Sequence, residues 1–182
     1  MAGLNIKNEQ KLQNTLADVK KYCPGAVPQL DKVDFIFAKE PINGKGYTER
    51  NGEKYKVTLP YDFYKAPPDE RLNTACHEVE GHVCFMEQNR TVKGNSKTEE
   101  RFAYPKGEAA KEKFLKDRGK TDKPFSIEEK INKDSAYRCL PEKPVTSASE
   151  MLKEGVNTLA CQIKNGIKDY WSMGISKPRD QR

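Results

Sequence analysis

A chain of 182 residues, 35% apolar and 33% charged, is long enough to bury a core of its own, and its eight tyrosines, seven phenylalanines and single tryptophan supply large anchors for one. No apolar run approaches the roughly 20 residues that cross a bilayer, and the opening MAGLNIKNEQKLQ lacks the apolar stretch of a signal peptide, so a soluble globular protein with no membrane role is expected. The formal charge of +6 comes from lysines spread along the whole chain, which describes a solvated surface before it describes a nucleic-acid site; five scattered cysteines with no C-x-x-C pair argue against a disulfide framework or a cysteine zinc finger and for a reducing compartment.

Taken in chain order, NEQKLQNTLADVKKYCPG sets Leu12, Leu16, Val19 and Tyr22 at helical spacing, and Pro24-Gly25 ends the pattern. KVDFIFAKE then alternates and is rich in strand formers. GYTERNGEKYKVTLPY holds Asn51-Gly52, the dipeptide of a tight hairpin turn, between two strand-like arms. A short antiparallel sheet is expected here. From Pro67 to Asn89, Leu72, Cys76, Val79, Val83 and Met86 recur at steps of four and three behind a proline and acidic start, which predicts an amphipathic helix. Residues 91–145 are lysine-rich and broken by Gly94, Pro105, Gly107, Gly119 and Pro124. EAAKEKFLKDRG within them reads as helical and the rest as loop or lid, an insertion of unknown role. A last helix is predicted from Thr146 to Tyr170, opened by Ser147-x-x-Glu150 and carrying Leu152, Val156, Leu159, Ile163 and Ile167 along one face. The polar tail SKPRDQR is expected to fray. The expectation is a single α+β domain over residues 1–182.

The chemistry concentrates in CHEVEGHVC. His77 and His82 are the whole histidine complement, and they bracket Glu78 as H-E-x-x-x-H. Residues four apart on an ideal helix lie about 40° apart around the axis, whereas residues five apart lie about 140° apart, so a regular helix cannot point both rings at one ion. One π-type widening absorbs the extra residue and returns both rings to one face, and Gly81 sits where that widening is sterically cheapest. Zinc in a hydrolase takes neutral imidazoles and a carboxylate and leaves a position for water. A glutamate beside the first ligand, here Glu78, can take that water's proton.

With no third histidine, a further protein ligand must be a carboxylate or a cysteine. Glu150 and Glu154 stand one turn apart opposite the apolar stripe of the last helix. One of them can bind metal while the other accepts the spare ring N–H of a histidine. Against this, Glu150 is also the natural partner of Ser147 in a capping box, with Glu154, Glu108 or Glu100 as substitute ligands. Glu80 faces solvent or reaches the metal shell. Cys76 and Cys84 read as packing residues, and Tyr137 is either a donor to an oxyanion or a structural aromatic.

HEVEGH followed by E-x-x-x-E at Glu150 and Glu154 resembles the gluzincin metallopeptidases, specifically the H-E-x-x-G-H variant of the dipeptidyl peptidase III family; lethal-factor-type peptidases offer a similar glutamate helix. The resemblance implies a zincin-like domain with an active-site helix and a later glutamate helix. It makes His77, His82 and Glu150 the zinc ligands, Glu78 the general base and Glu154 the acceptor behind a ligand. It also implies an edge strand before the active helix that holds the substrate backbone, a place for EKYKVTLPY. The chain is far shorter than dipeptidyl peptidases III, so exopeptidase specificity is not implied. The expected function is a zinc peptidase of narrow endopeptidase specificity, acting on protein or peptide in its own cytosol or, after export, in a host's. The rivals are a basic module for nucleic acid or an acidic partner, using residues 106 to 134, and a non-catalytic zinc protein on a peptidase-like scaffold.

Overall fold

The computed structural model describes residues 2–42, 46–90, 96–124, 126–133 and 137–172. Helix α1 (Ala2–Tyr22) buries Leu12, Val19 and Tyr22 on the predicted face. Pro24 then opens a run of 3-10 turns, Pro24–Lys32, that leads into the sheet. Strands β1 (Val33–Phe37), β2 (Tyr47–Asn51) and β3 (Lys54–Leu59) form one sheet in the order β1-β3-β2. The hairpin β2–β3 pairs antiparallel with Asn51 opposite Lys54, and Gly52 takes the turn at φ 65°, which a side chain rarely adopts. The expected sheet was antiparallel throughout, but β1 runs parallel to β3, with Val33 opposite Tyr55 and Phe37 opposite Leu59. This follows from the order: β1 lies at one edge, the chain crosses to β2 at the other, and the hairpin returns β3 between them. KYKVTL is therefore the centre of the sheet, paired on both sides, and not an edge.

The helix predicted over 67–89 is a continuous rod with a change of pitch inside it. Helix α2 (Pro68–Cys76) passes into a π-helical segment, His77–Val83, and then into α3 (Cys84–Gln88), with His77 and Cys84 both in right-handed helical geometry at the joins. Leu72, Cys76, Val79, Val83 and Met86 are buried against Val57, Leu59 and the α1 face.

Helix α4 (Lys97–Lys116) is the main departure from the predicted elements, because Pro105 and Gly107 lie inside it instead of ending it. It packs along α2 and the π segment, and Ala103, Tyr104, Ala110 and Phe114 join the buried residues. The approach is very close. A Cβ built on Gly81 would stand 2.5 Å from the Ala103 Cβ, and one on Gly107 would stand 2.4 Å from the Asn73 side chain. Gly81 thus serves the helix crossing as well as the local widening. Glycine within a helix costs about 1 kcal/mol relative to alanine, which the packing of α4 offsets.

Helix α5 (Ile127–Lys133) and helix α6 (Ala148–Ser172) follow. A disulfide, Cys139–Cys161, fastens α6 to the segment before it, contrary to the expectation of none. Thr158 donates to the Cys139 carbonyl and Asn165 to its sulfur, so α6 packs through its polar side. Its apolar stripe lies along one face, as the spacing predicts, and that face is outward: Leu152 is 76% and Val156 69% exposed, with Leu159 and Ile163 also open. The side chain of Ile167 and the tail SKPRDQR lie outside the described residues. Among the described residues no helix is long and apolar enough to cross a membrane.

Candidate metal centre

The π segment does what the spacing required. His77 Nε2 and His82 Nε2 face each other at 3.1 Å, although the residues are five apart. Both rings are buried, at 4% and 3% exposure. A third group completes the cluster from α4: Glu100 Oε2 lies 3.5 Å from His77 Nε2, and Glu100 Oε1 lies 3.7 Å from His82 Nε2. His77, His82 and Glu100 each bring one ligand atom within 4.8 Å of the others. The neighbouring Glu99 accepts from His82 Nδ1 at 2.7 Å. Since an ionised carboxylate only accepts, the proton sits on Nδ1 and the Nε2 lone pair turns to the centre.

These distances suit a small cation. Two ligands held at 2.0–2.2 Å in tetrahedral directions stand about 3.3 Å apart. Two imidazole lone pairs at 3.1 Å repel unless a proton or a cation stands between them. The charge balance points the same way, because Glu78, Glu99 and Glu100 bring three carboxylates into one fully buried place beside two imidazoles. Buried carboxylates need compensation, which a divalent ion supplies. Without one, burial alone would push the His82 ring toward its neutral form. The Glu99 hydrogen bond and the charges of Glu78, Glu100 and Glu99 override this and hold its pKa at about 9.

Glu78 projects from the same segment toward the sheet. Thr48 of β2 donates to its Oε2 at 2.7 Å, and the Gly46 backbone stands against its Oε1, where a Cβ would come within 3.0 Å. Burial raises the Glu78 pKa, opposed by the His82 charge and by the Thr48 hydrogen bond. The edge strand beside the site is therefore β2, where β3 had been expected.

Of the remaining predicted residues, Glu150 is not brought to the rings. It closes a capping box at the start of α6, accepting from the Ser147 N–H at 3.2 Å while its own N–H donates to Ser147 Oγ at 3.2 Å. It is exposed, and hydrogen bonds from Thr146 and Ser147 hold its carboxyl below the usual range. Glu154 accepts from Asn157 on the same helix, and Glu108 accepts from Asn73, so neither faces the ion-sized space. Tyr137 meets the ring of Tyr104 with centroids 5.6 Å apart, and it is Tyr104, at 4.6 Å, that packs on His77. Tyr137 is thus one ring removed from the histidines. Glu80 is engaged elsewhere, accepting from Cys23 and pairing with Lys106 of α4 at 3.2 Å. Cys76 is fully buried packing, while Cys84 is only partly covered.

One signal in the sequence bears on the glutamates of the cluster. Ser96-x-x-Glu99 is the same capping signature as Ser147-x-x-Glu150, and Ser96 does cap α4, accepting from the Glu99 N–H at 3.2 Å. In the first box, though, the glutamate side chain leaves the cap and goes to His82. No family model, curated protein or solved structure matches the chain.

Proposed function

We propose that the protein is a metal-dependent peptidase, with His77, His82 and Glu100 as ligands and Glu78 as general base. The observation that carries this reading is the donor set: two imidazoles and one carboxylate, with a second carboxylate buried beside them and not needed as a ligand. Structural zinc sites are commonly closed by four protein ligands, whereas hydrolytic sites keep three and leave a position open. Zinc bound there would polarise a carbonyl and acidify a water molecule. The work of the chain itself is proton handling and orientation. Glu78 takes the proton of the attacking water and passes it to the nitrogen of the scissile bond, so that one peptide and one water give a carboxylate and an amine. Glu99 holds the His82 ring in the tautomer that offers Nε2. The arrangement is gluzincin-like in its two-helix logic, with the glutamate helix following the histidine helix directly.

A second reading, a closed ion site that only stabilises the fold, is favoured by the depth of burial, since Glu100 is 1% exposed. Metal analysis after dialysis and a peptide-library cleavage screen, on the parent and on Glu78→Gln, separate the two. The peptidase reading expects one equivalent of zinc in both proteins and a loss of cleavage of about 10²–10⁴-fold in the variant. Zinc in both with no cleavage by the parent makes the site structural. No zinc in the parent removes both readings.

A further inference from the structure

Glu78 is held by the sheet as well as by its own helix. Thr48 is the one buried residue of β2, and its hydroxyl spends its hydrogen bond on Glu78 Oε2 across 30 residues of sequence. Two residues on, and so on the same face of the strand, Arg50 donates to the Met86 carbonyl at 2.5 Å and to the Arg90 carbonyl at 3.1 Å. The strand is therefore fixed to the helical rod at two points, and only one of them touches the base. On the other side of the carboxylate, Gly46 leaves no room for a side chain: a Cβ would meet the Thr58 carbonyl at 2.9 Å and Glu78 Oε1 at 3.0 Å.

We propose that β2 orients the base, with Thr48 as the positioning residue that ties Glu78 Oε2 and thereby leaves Oε1, beside Gly46, as the oxygen that takes and returns the proton. This rests on the peptidase reading above. A carboxylate free to rotate presents either oxygen at changing angles to the reacting water, whereas one held at Oε2 presents the other in a fixed direction. The role differs from that of a ligand, so removing the hydroxyl acts on turnover and spares metal content.

The test uses the full chain loaded with zinc and the best peptide from the parent's own cleavage screen, with Thr48→Val, Thr48→Ser and Glu78→Gln compared. The expected result for Thr48→Val is a 10- to 100-fold fall in kcat with KM and zinc stoichiometry within about twofold of the parent, and recovery of most of kcat in Thr48→Ser. Arg50 keeps the strand docked, so thermal unfolding of Thr48→Val should still be cooperative. Crystals of zinc-loaded Thr48→Val give a readout apart from activity: the Glu78 carboxylate should take more than one orientation. An unchanged kcat in Thr48→Val, a Thr48→Ser no better than Thr48→Val, or an undisturbed Glu78 orientation overturns this inference and leaves the peptidase reading standing. A zinc-loaded parent that cleaves no peptide overturns that reading, and this one with it.

Discussion

At the scale of single residues, the chain offers two serine-led glutamates, Glu99 and Glu150, and only Glu99 leaves its cap for the histidines, beside the candidate ligand Glu100. Glu150 spends its carboxylate on Thr146 and Ser147, whereas Glu100 points between the two imidazoles. Glu100→Ala should therefore lose most of the bound zinc after dialysis and Glu150→Ala should keep about one equivalent, measured by elemental analysis. Glu99→Ala keeps all three ligands but frees the His82 ring, and its zinc affinity should fall by about 10- to 100-fold in a chelator competition. Loss of zinc in Glu150→Ala with retention in Glu100→Ala would refute the assignment. The histidines and Glu78 were legible because they are a complete and local pattern. Glu100 was legible only as one of three substitutes for Glu150, since a carboxylate on a separate helix carries no mark of its direction. The feature that distinguishes the two boxes, whether the glutamate closes its own cap, exists only in three dimensions.

Among the elements, the widened helix was legible by elimination, because i,i+5 spacing on a regular helix separates the rings. Helix α4 was hidden by its own composition. Pro105 and Gly107 read locally as breaks, yet Gly107 is what lets α4 descend onto Asn73 and His77, and tertiary packing carries the helix through both. That contact makes a stability prediction. Gly81→Ala would drive a Cβ to 2.5 Å from the Ala103 Cβ and 2.6 Å from its Cα. Overpacking of this kind costs about 1–3 kcal/mol, to be read as a lower urea midpoint. Adding Ala103→Gly should recover only part of it, because the Cα clash remains. An unaltered midpoint in Gly81→Ala would show that the crossing is loose. Helix α6 behaves differently, because it is held through its polar side and the Cys139–Cys161 bridge. Reduction of that bridge, which joins cysteines 22 positions apart, should speed amide exchange along 148–165 and leave zinc content unchanged. Zinc loss on reduction would tie α6 to the site.

For the molecule as a whole, the candidate metal centre joins parts that are distant in sequence: the helical rod, the start of α4 and the edge of the sheet all end on one buried cluster of two imidazoles and three carboxylates. Without a cation, those carboxylates sit together away from water with only protons and hydrogen bonds to balance them, so the ion-free fold carries a cost that the unfolded chain does not. Binding to the folded state alone then stabilises it by mass action, about 2.7 kcal/mol when free zinc is 100 times Kd. For a chain of this size, 1 kcal/mol moves Tm by about 2–4 °C, so saturating zinc should raise Tm by about 5–10 °C and a chelator should reverse the rise. Glu100→Ala should lose most of this response. Thr48→Val should show nearly all of it, since its side chain touches the base and not a ligand. A zinc-induced rise as large in Glu100→Ala as in the parent would place the ion elsewhere on the protein. A rise confined to proteins with an intact Glu100 would tie the stability of the whole fold to the one cluster that its helices and sheet enclose.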